Sequence, residues 1–146
     1  MPSHVAWIVV GSSLLWTLVV VAMLRIVIRA QFNKLAERFP PAEVADDAVI
    51  KKAQSGRFGL VNAGFSLTLA ADDAFVHLSP NIFLRWFGAR ELSIPATMIA
   101  EARVMKTFGV ARVQLATPAG AIQLPTWIRD HARQRLGFDA INGRAA

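Results

Sequence analysis

No cysteine occurs among the 146 residues. Disulfides, thiolate metal sites and a cysteine nucleophile are therefore excluded, while the absence itself fits any compartment. Other chemistry-bearing patterns are missing too: there is no phosphate-binding glycine loop, no nucleophile elbow and no His-Glu-x-x-His zinc motif. Gly56, Gly59 and Gly64 lack the spacing such a loop needs. The three histidines, His4, His77 and His131, match no metal set or triad by position. His77 reads as a surface residue of a strand. Asp72 and Asp73 read as a turn, because aspartate accepts hydrogen bonds from its own backbone there, rather than as an acid pair or cation ligand. The chain is expected to be non-enzymatic, with no cofactor and no metal; an enzyme with a pocket at the open end of a sheet is the weaker alternative.

Charge is absent from one stretch, residues 5–24 (VAWIVVGSSLLWTLVVVAML), bounded by His4 and Arg25. At about 1.5 Å per residue a helix of this length covers roughly 30 Å, the thickness of a hydrocarbon core. A cleaved signal would need a positive n-region, a shorter apolar core and a small-residue cleavage site. Met-Pro-Ser-His precedes the core and Arg25 stands where cleavage would fall, so the stretch reads as a retained span. Trp7 suits the interfacial aromatic belt. Trp16 falls near mid-membrane, where it must meet lipid or another helix. Gly11, Ser12, Ser13 and Thr17 form either a patch for a partner helix or the scattered small residues common in spans.

The net charge of +6 is unevenly placed. Residues 25–38 carry Arg25, Arg29, Lys34 and Arg38 against Glu37, residues 39–57 balance, and the remainder is again basic. Basic density is thus highest just after the span, which by the positive-inside rule puts the N-terminus outside and the rest in the cytoplasm, in a bacterium at the inner membrane. Ile28, Phe32, Leu35 and Phe39 recur at helical spacing, so the span is expected to run on as a basic amphipathic helix until Pro40-Pro41 stops it. Its cations either meet anionic head groups or merely fix orientation. Nucleic acid is not expected, since the strands lack interleaved aromatic and basic residues.

The chain divides into an anchor with its juxtamembrane helix (1–39), a solvated linker (40–55), a small domain (56–137) and a flexible tail (138–146). Within the domain Phe65, Leu67 and Leu69 alternate with polar or small residues, Asp72-Asp73 makes the turn, and residues 74–79 return, which is a hairpin. Further strands are read at 90–94, 102–106, 111–115 and around Ile122 and Leu124. A short turn follows Pro95, and a helix capped by Thr126 runs to Arg135. The fold class is one transmembrane helix plus a small mainly-β (α+β) domain: an antiparallel sheet of about six or seven strands closed by a C-terminal helix.

That arrangement resembles a pleckstrin-homology-like fold. Three words sharpen the likeness: FNKLAERFP (32–40), LTLAADDAFVHLS (67–79) and LSIPATMI (92–99). They resemble small bacterial single-span membrane proteins of unknown function with a GRAM-like cytoplasmic domain. The resemblance implies a fold and no catalytic residues.

Residues 81–88 (NIFLRWFG) pack five large apolar residues around Arg85. Without clean alternation the segment is either core, which a small sheet needs, or an exposed contact surface. Two functions follow. One is a binding module that contacts a membrane protein complex as an accessory or assembly subunit through Trp16, Phe83, Arg85, Trp86 and Phe87. The other is an anionic-lipid sensor using Arg25, Arg29, Lys34, Arg38, Arg129 and Arg133.

Overall fold

The computed structural model describes residues 3–136. One helix, α1 (Ser3–Arg38), runs unbroken through both the apolar and the basic stretch, and it is long and apolar enough to cross a membrane. Its 36 residues reach roughly 54 Å, well beyond a 30 Å core. The excess length is not free in solvent. Ile28, Phe32 and Leu35, spaced by four and three, are buried in the domain together with Phe39 just past the helix end. Phe32 packs on Phe58 with ring centroids 4.7 Å apart. Pro40 and Pro41 offer no N–H to a further turn, and the helix ends there.

Seven strands follow: β1 (Val49–Phe58), β2 (Val61–Ala71), β3 (Phe75–Pro80), β4 (Leu92–Pro95), β5 (Glu101–Thr107), β6 (Val110–Thr117) and β7 (Gly120–Pro125). Among the described residues two short α-helices and one 3-10 turn complete the domain: α2 (Ile82–Trp86) between β3 and β4, the turn (Ala96–Met98) after β4, and α3 (Trp127–Leu136) after β7. All neighbouring strands are antiparallel in the order β4-β3-β2-β1-β7-β6-β5. Leu67, Leu69, Val76, Leu78, Leu92 and Ile94 from one half, and Val113, Leu115, Ile122 and Leu124 from the other, bury their alternate side chains in one core. Ile128 of α3 joins it, fully buried.

Two expectations change. The domain starts at Val49, not Gly56, because residues 49–55, expected as linker, are the first part of β1. Most of that part is exposed and carries Lys51 and Lys52, so it shows no apolar alternation. Phe65, expected to share a face with Leu67 and Leu69, is 78% exposed while those two are buried. Between Ala63 and Leu67, β2 has more residues than the facing stretch of β1, and Phe65 leaves the pleat with φ at +52°. The expected tail, 138–146, lies outside the described residues.

The sheet has two unlike ends. The β1–β2 turn at Gly59 and the helix α2 stand at one, and the β2–β3 turn at residues 72–74 stands at the other. Helix α1 arrives at the first. A Cβ on Gly59 would stand 2.6 Å from Gln31 Oε1, and one on Gly88 2.5 Å from Arg29 Nε, so both glycines let the sheet end press against α1. From there the chain runs toward the far end, with Ser93 N–H donating to Phe39 C=O at 3.4 Å.

Candidate functional site

At the far end of the sheet, three polar side chains form a buried chain from the β2–β3 turn across β3 and β4. Asp72 is 4% exposed, His77 5% and Ser93 3%. His77 lies on β3 opposite Ser93 on β4, which the register fixes, and Asp72 closes the hairpin beside it. Ser93 Oγ stands 2.7 Å from His77 Nδ1, and Asp72 Oδ2 stands 2.8 Å from His77 Nε2. His77 is therefore interior, contrary to its reading as a surface residue; alternation alone does not show that β3 is covered on both faces.

The network's remaining partners are backbone amides. Ala42 N–H donates to Ser93 Oγ at 2.9 Å, and Ala45 N–H to Asp72 Oδ2 at 3.3 Å. Ala74 and Phe75 N–H donate to Asp72 Oδ1 at 2.9 and 2.7 Å, which is the turn expected of this aspartate. Every group is satisfied when Ser93 O–H donates to Nδ1 and Nε2–H donates to Asp72. Burial pushes the Asp72 carboxyl up, but the His77 bond and the amides of Ala74, Phe75 and Ala45 outweigh it and hold it at about 2, against an ordinary 3.8.

Serine, histidine and aspartate are the types of an acyl-transfer triad, but here they clasp a strap. Residues 40–48, the first part of the expected linker, are mostly exposed, yet two of their amides are held: Ala42, the first residue after two prolines with an N–H to offer, donates to Ser93, and Ala45 donates to Asp72. A recess of about 370 Å³ adjoins Asp72, lined also by Glu43, Asp46, Asp47 and Asp73, and it reaches neither His77 nor Ser93. Among the described residues, no three His, Asp or Glu side chains stand close enough to hold a metal ion.

The end beside α1 is apolar and basic instead. Asn81 caps α2, its side chain accepting from Leu84 N–H at 3.0 Å, and Gly88 ends it with φ at +95°. Ile82, Phe83 and Trp86 are 86, 56 and 70% exposed, whereas Leu84 and Phe87 are buried. The segment is thus both things the sequence left open, core on one side and surface on the other. Phe87, expected at a partner contact, is only 4% exposed and packs under Phe83 and Trp86 with centroids 5.0 and 5.3 Å away. Arg85 is also turned from that face, ion-paired with Glu91 and donating to Ser79 Oγ and Pro80 C=O, each at 3.0 Å.

Of the basic residues, Arg25, Arg29, Lys34 and Arg38 are exposed along α1, with the Arg29 side chain lying across Gly88. Arg129 is half-buried, its Nε enclosed without a hydrogen-bond partner. Arg133 lies on α3, and its side chain is outside the described residues. A second basic feature escaped sequence reasoning: Arg57 and Arg112, from β1 and β6, line a recess of about 430 Å³ with Leu60, Asn62, Phe108 and Val110. Only the sheet register brings these two arginines together, so no local pattern reveals them. In the apolar part of α1, Trp16 is 70% exposed, and a groove beside it is lined by Val9, Val10, Ser13, Leu14, Thr17 and Leu18. Ser12 and Thr17 hydroxyls donate to Val9 and Ser13 C=O within the helix, at 3.0 and 2.8 Å.

No family model matches the sequence, and no curated protein does. Among solved structures, the C-terminal domain of an unknown protein from Leishmania infantum is similar over 80% of this chain and 96% of its own, with 18% identity and a TM-score of 0.42. A likeness at that level carries no argument about this chain.

Proposed function

We propose that the chain is a non-enzymatic binding module of the inner membrane. In this reading one span is crossed with the N-terminus outside, and a pleckstrin-homology-like domain in the cytoplasm acts as an accessory or assembly subunit of a membrane protein complex. The observation that carries it is the continuity of α1, which passes from an exposed apolar stretch into the domain core at Ile28, Phe32 and Leu35 without a break. A span joined to its domain in this way presents a fixed flank to a neighbouring helix. Trp16 offers that flank large apolar area near mid-membrane, where lipid-exposed and partner-facing packing compete. The hydroxyls of Ser12 and Thr17 already donate within the helix, so packing carries the contact.

The test is to tag the C-terminus, extract the full chain from native membranes in mild detergent, and identify what co-purifies in stoichiometric amount. The expected result is a defined set of membrane subunits, with recovery falling at least about fivefold in Trp16→Ala, the range of a packing contact worth about 1 kcal/mol. Protein recovered alone would sink the reading. A second reading, recognition of anionic lipid, is favoured by the exposed Arg25, Arg29, Lys34 and Arg38 beside the span and by the Arg57–Arg112 recess. Lipid retention would then weaken with salt, whereas an apolar protein contact would survive it.

A further inference from the structure

We propose that α2 is a second attachment of this chain to its membrane: the face carrying Ile82, Phe83 and Trp86 lies in the head-group layer of the bilayer that α1 crosses. The inference rests on α1 being a span, and not on any protein partner.

The level of α2 follows from its contact with α1. Gly88, two residues past α2, lies against the Arg29 side chain, and Arg29 is five residues beyond Leu24, the last residue of the uncharged stretch. Five residues of helix rise about 7.5 Å. The interfacial layer is itself about 5–7 Å thick on each side of the hydrocarbon core. Helix α2 therefore stands at the outer boundary of that layer, on the end of the sheet that α1 reaches first. Val21, inside the uncharged stretch, is itself partly buried against the core cluster that Ile28 and Phe32 share with the sheet.

The chemistry of the face fits that level. On a helix, residues 82, 83 and 86 fall within about 100° of arc, and all three are exposed while Leu84 and Phe87 turn inward. The charged member of the segment is held elsewhere, since Arg85 is bonded to Glu91, Ser79 and Pro80. What remains is a tryptophan, a phenylalanine and an isoleucine with no charge among them, the composition that interfaces favour in aromatic belts and surface-lying helices. Two attachments, span and α2, fix how the domain is turned about the axis of α1. The side of the span that faces away from α2 is then presented in one orientation.

The cysteine-free sequence allows a direct measurement of depth. Single cysteines replace Ala22 in the span, Ile82 on α2 and Thr97 at the far end of β4, all exposed positions, in separate full-length proteins. Each carries a nitroxide in vesicles of phosphatidylethanolamine and phosphatidylglycerol, and collision with oxygen is compared with collision with a water-soluble nickel complex. The proposal expects the oxygen-to-nickel ratio at Ile82→Cys to exceed that at Thr97→Cys by at least about fivefold and to lie below that at Ala22→Cys, as oxygen concentrates toward the hydrocarbon. Phe83→Cys repeats the reading at a neighbouring site. Equal ratios at 82 and 97, with Ala22→Cys still oxygen-rich, overturn the docking while leaving the span. A nickel-accessible label at Ala22→Cys overturns both. A label at 82 that is aqueous in these vesicles but shielded from both reagents in native membranes assigns the face to a protein and overturns the bilayer as its occupant.

Discussion

The two ends of the sheet reverse the usual distribution of residues. At the end beside α1, Ile82, Phe83 and Trp86 are exposed; at the other, Asp72, His77 and Ser93 are buried. In a soluble domain an exposed cluster of large apolar groups and a buried set of ionisable ones would both be unfavourable. Each is relieved by a different neighbour. The buried set is satisfied by four backbone amides, two of them from the strap that follows α1, and the docking proposed for α2 would bring the exposed set to a bilayer interface. The polar end thus contributes to stability and the apolar end to location, so mutations at the two should separate these properties.

The largest effect is expected at the far end. Asp72→Ala strips four donors, the His77 ring and the amides of Ala45, Ala74 and Phe75, of their acceptor. The His77 ring is buried and the three amides are partly so; a buried donor left without a partner costs about 1–3 kcal/mol and the amides add less, so a net loss of about 3 kcal/mol is expected. Thermal unfolding of the full chain in detergent, followed by far-ultraviolet circular dichroism, measures it. An unchanged midpoint would mean that the network is not a fastening.

Acid should act on the same group and with a fixed sign. The folded carboxyl titrates at about 2 and the unfolded one near 3.8, so the unfolded chain takes up the proton first as pH falls. The contribution of Asp72 is complete above about pH 4 and is lost between there and about pH 2, on the order of 2 kcal/mol in all. Asp72→Asn should flatten that part of the profile. If the variant keeps the wild-type slope, another carboxyl is responsible.

How much of this was legible in the sequence differs between the ends for a physical reason. The long apolar helix, its stop at Pro40-Pro41, the 67–79 hairpin and the terminal helix all depend on local periodicity or on proline, and local order shows in the sequence. The clasp depends on register: Ala42 and Ser93 are 51 positions apart, and nothing near either indicates the other. Helix α2 was not read from the sequence, although Asn81 caps its five residues and Gly88, with positive φ, follows two positions past its end. Density of apolar residues hid the cap, and which side of so short a helix is covered depends on the strands around it.

The contact of α2 with α1 should give an intermediate effect that a second substitution partly reverses. Gly88→Ala places a Cβ 2.5 Å from Arg29 Nε at a φ of +95°. An L-residue in left-handed backbone costs about 1–2 kcal/mol, and moving the arginine adds to it. In the background of Arg29→Ala the collision is gone and only the backbone cost remains, so the double variant should be more stable than the sum of the single changes implies. Strict additivity would show that α2 does not bear on α1 at this point.

The smallest change in stability should come from the residue with the most conspicuous side chain. Trp86 is 70% exposed and touches Phe87 only edge-on, so Trp86→Ser should shift unfolding in detergent by no more than about 0.5 kcal/mol. Its core neighbour gives the contrast. Phe87→Ala removes a ring that is 4% exposed and should cost about 3 kcal/mol, since large-to-small changes in a core leave a cavity. A large loss in Trp86→Ser would make the exposed face part of the fold. A negligible one leaves a tryptophan, a phenylalanine and an isoleucine in place for something outside the fold, which the docking proposed for α2 takes to be the membrane surface.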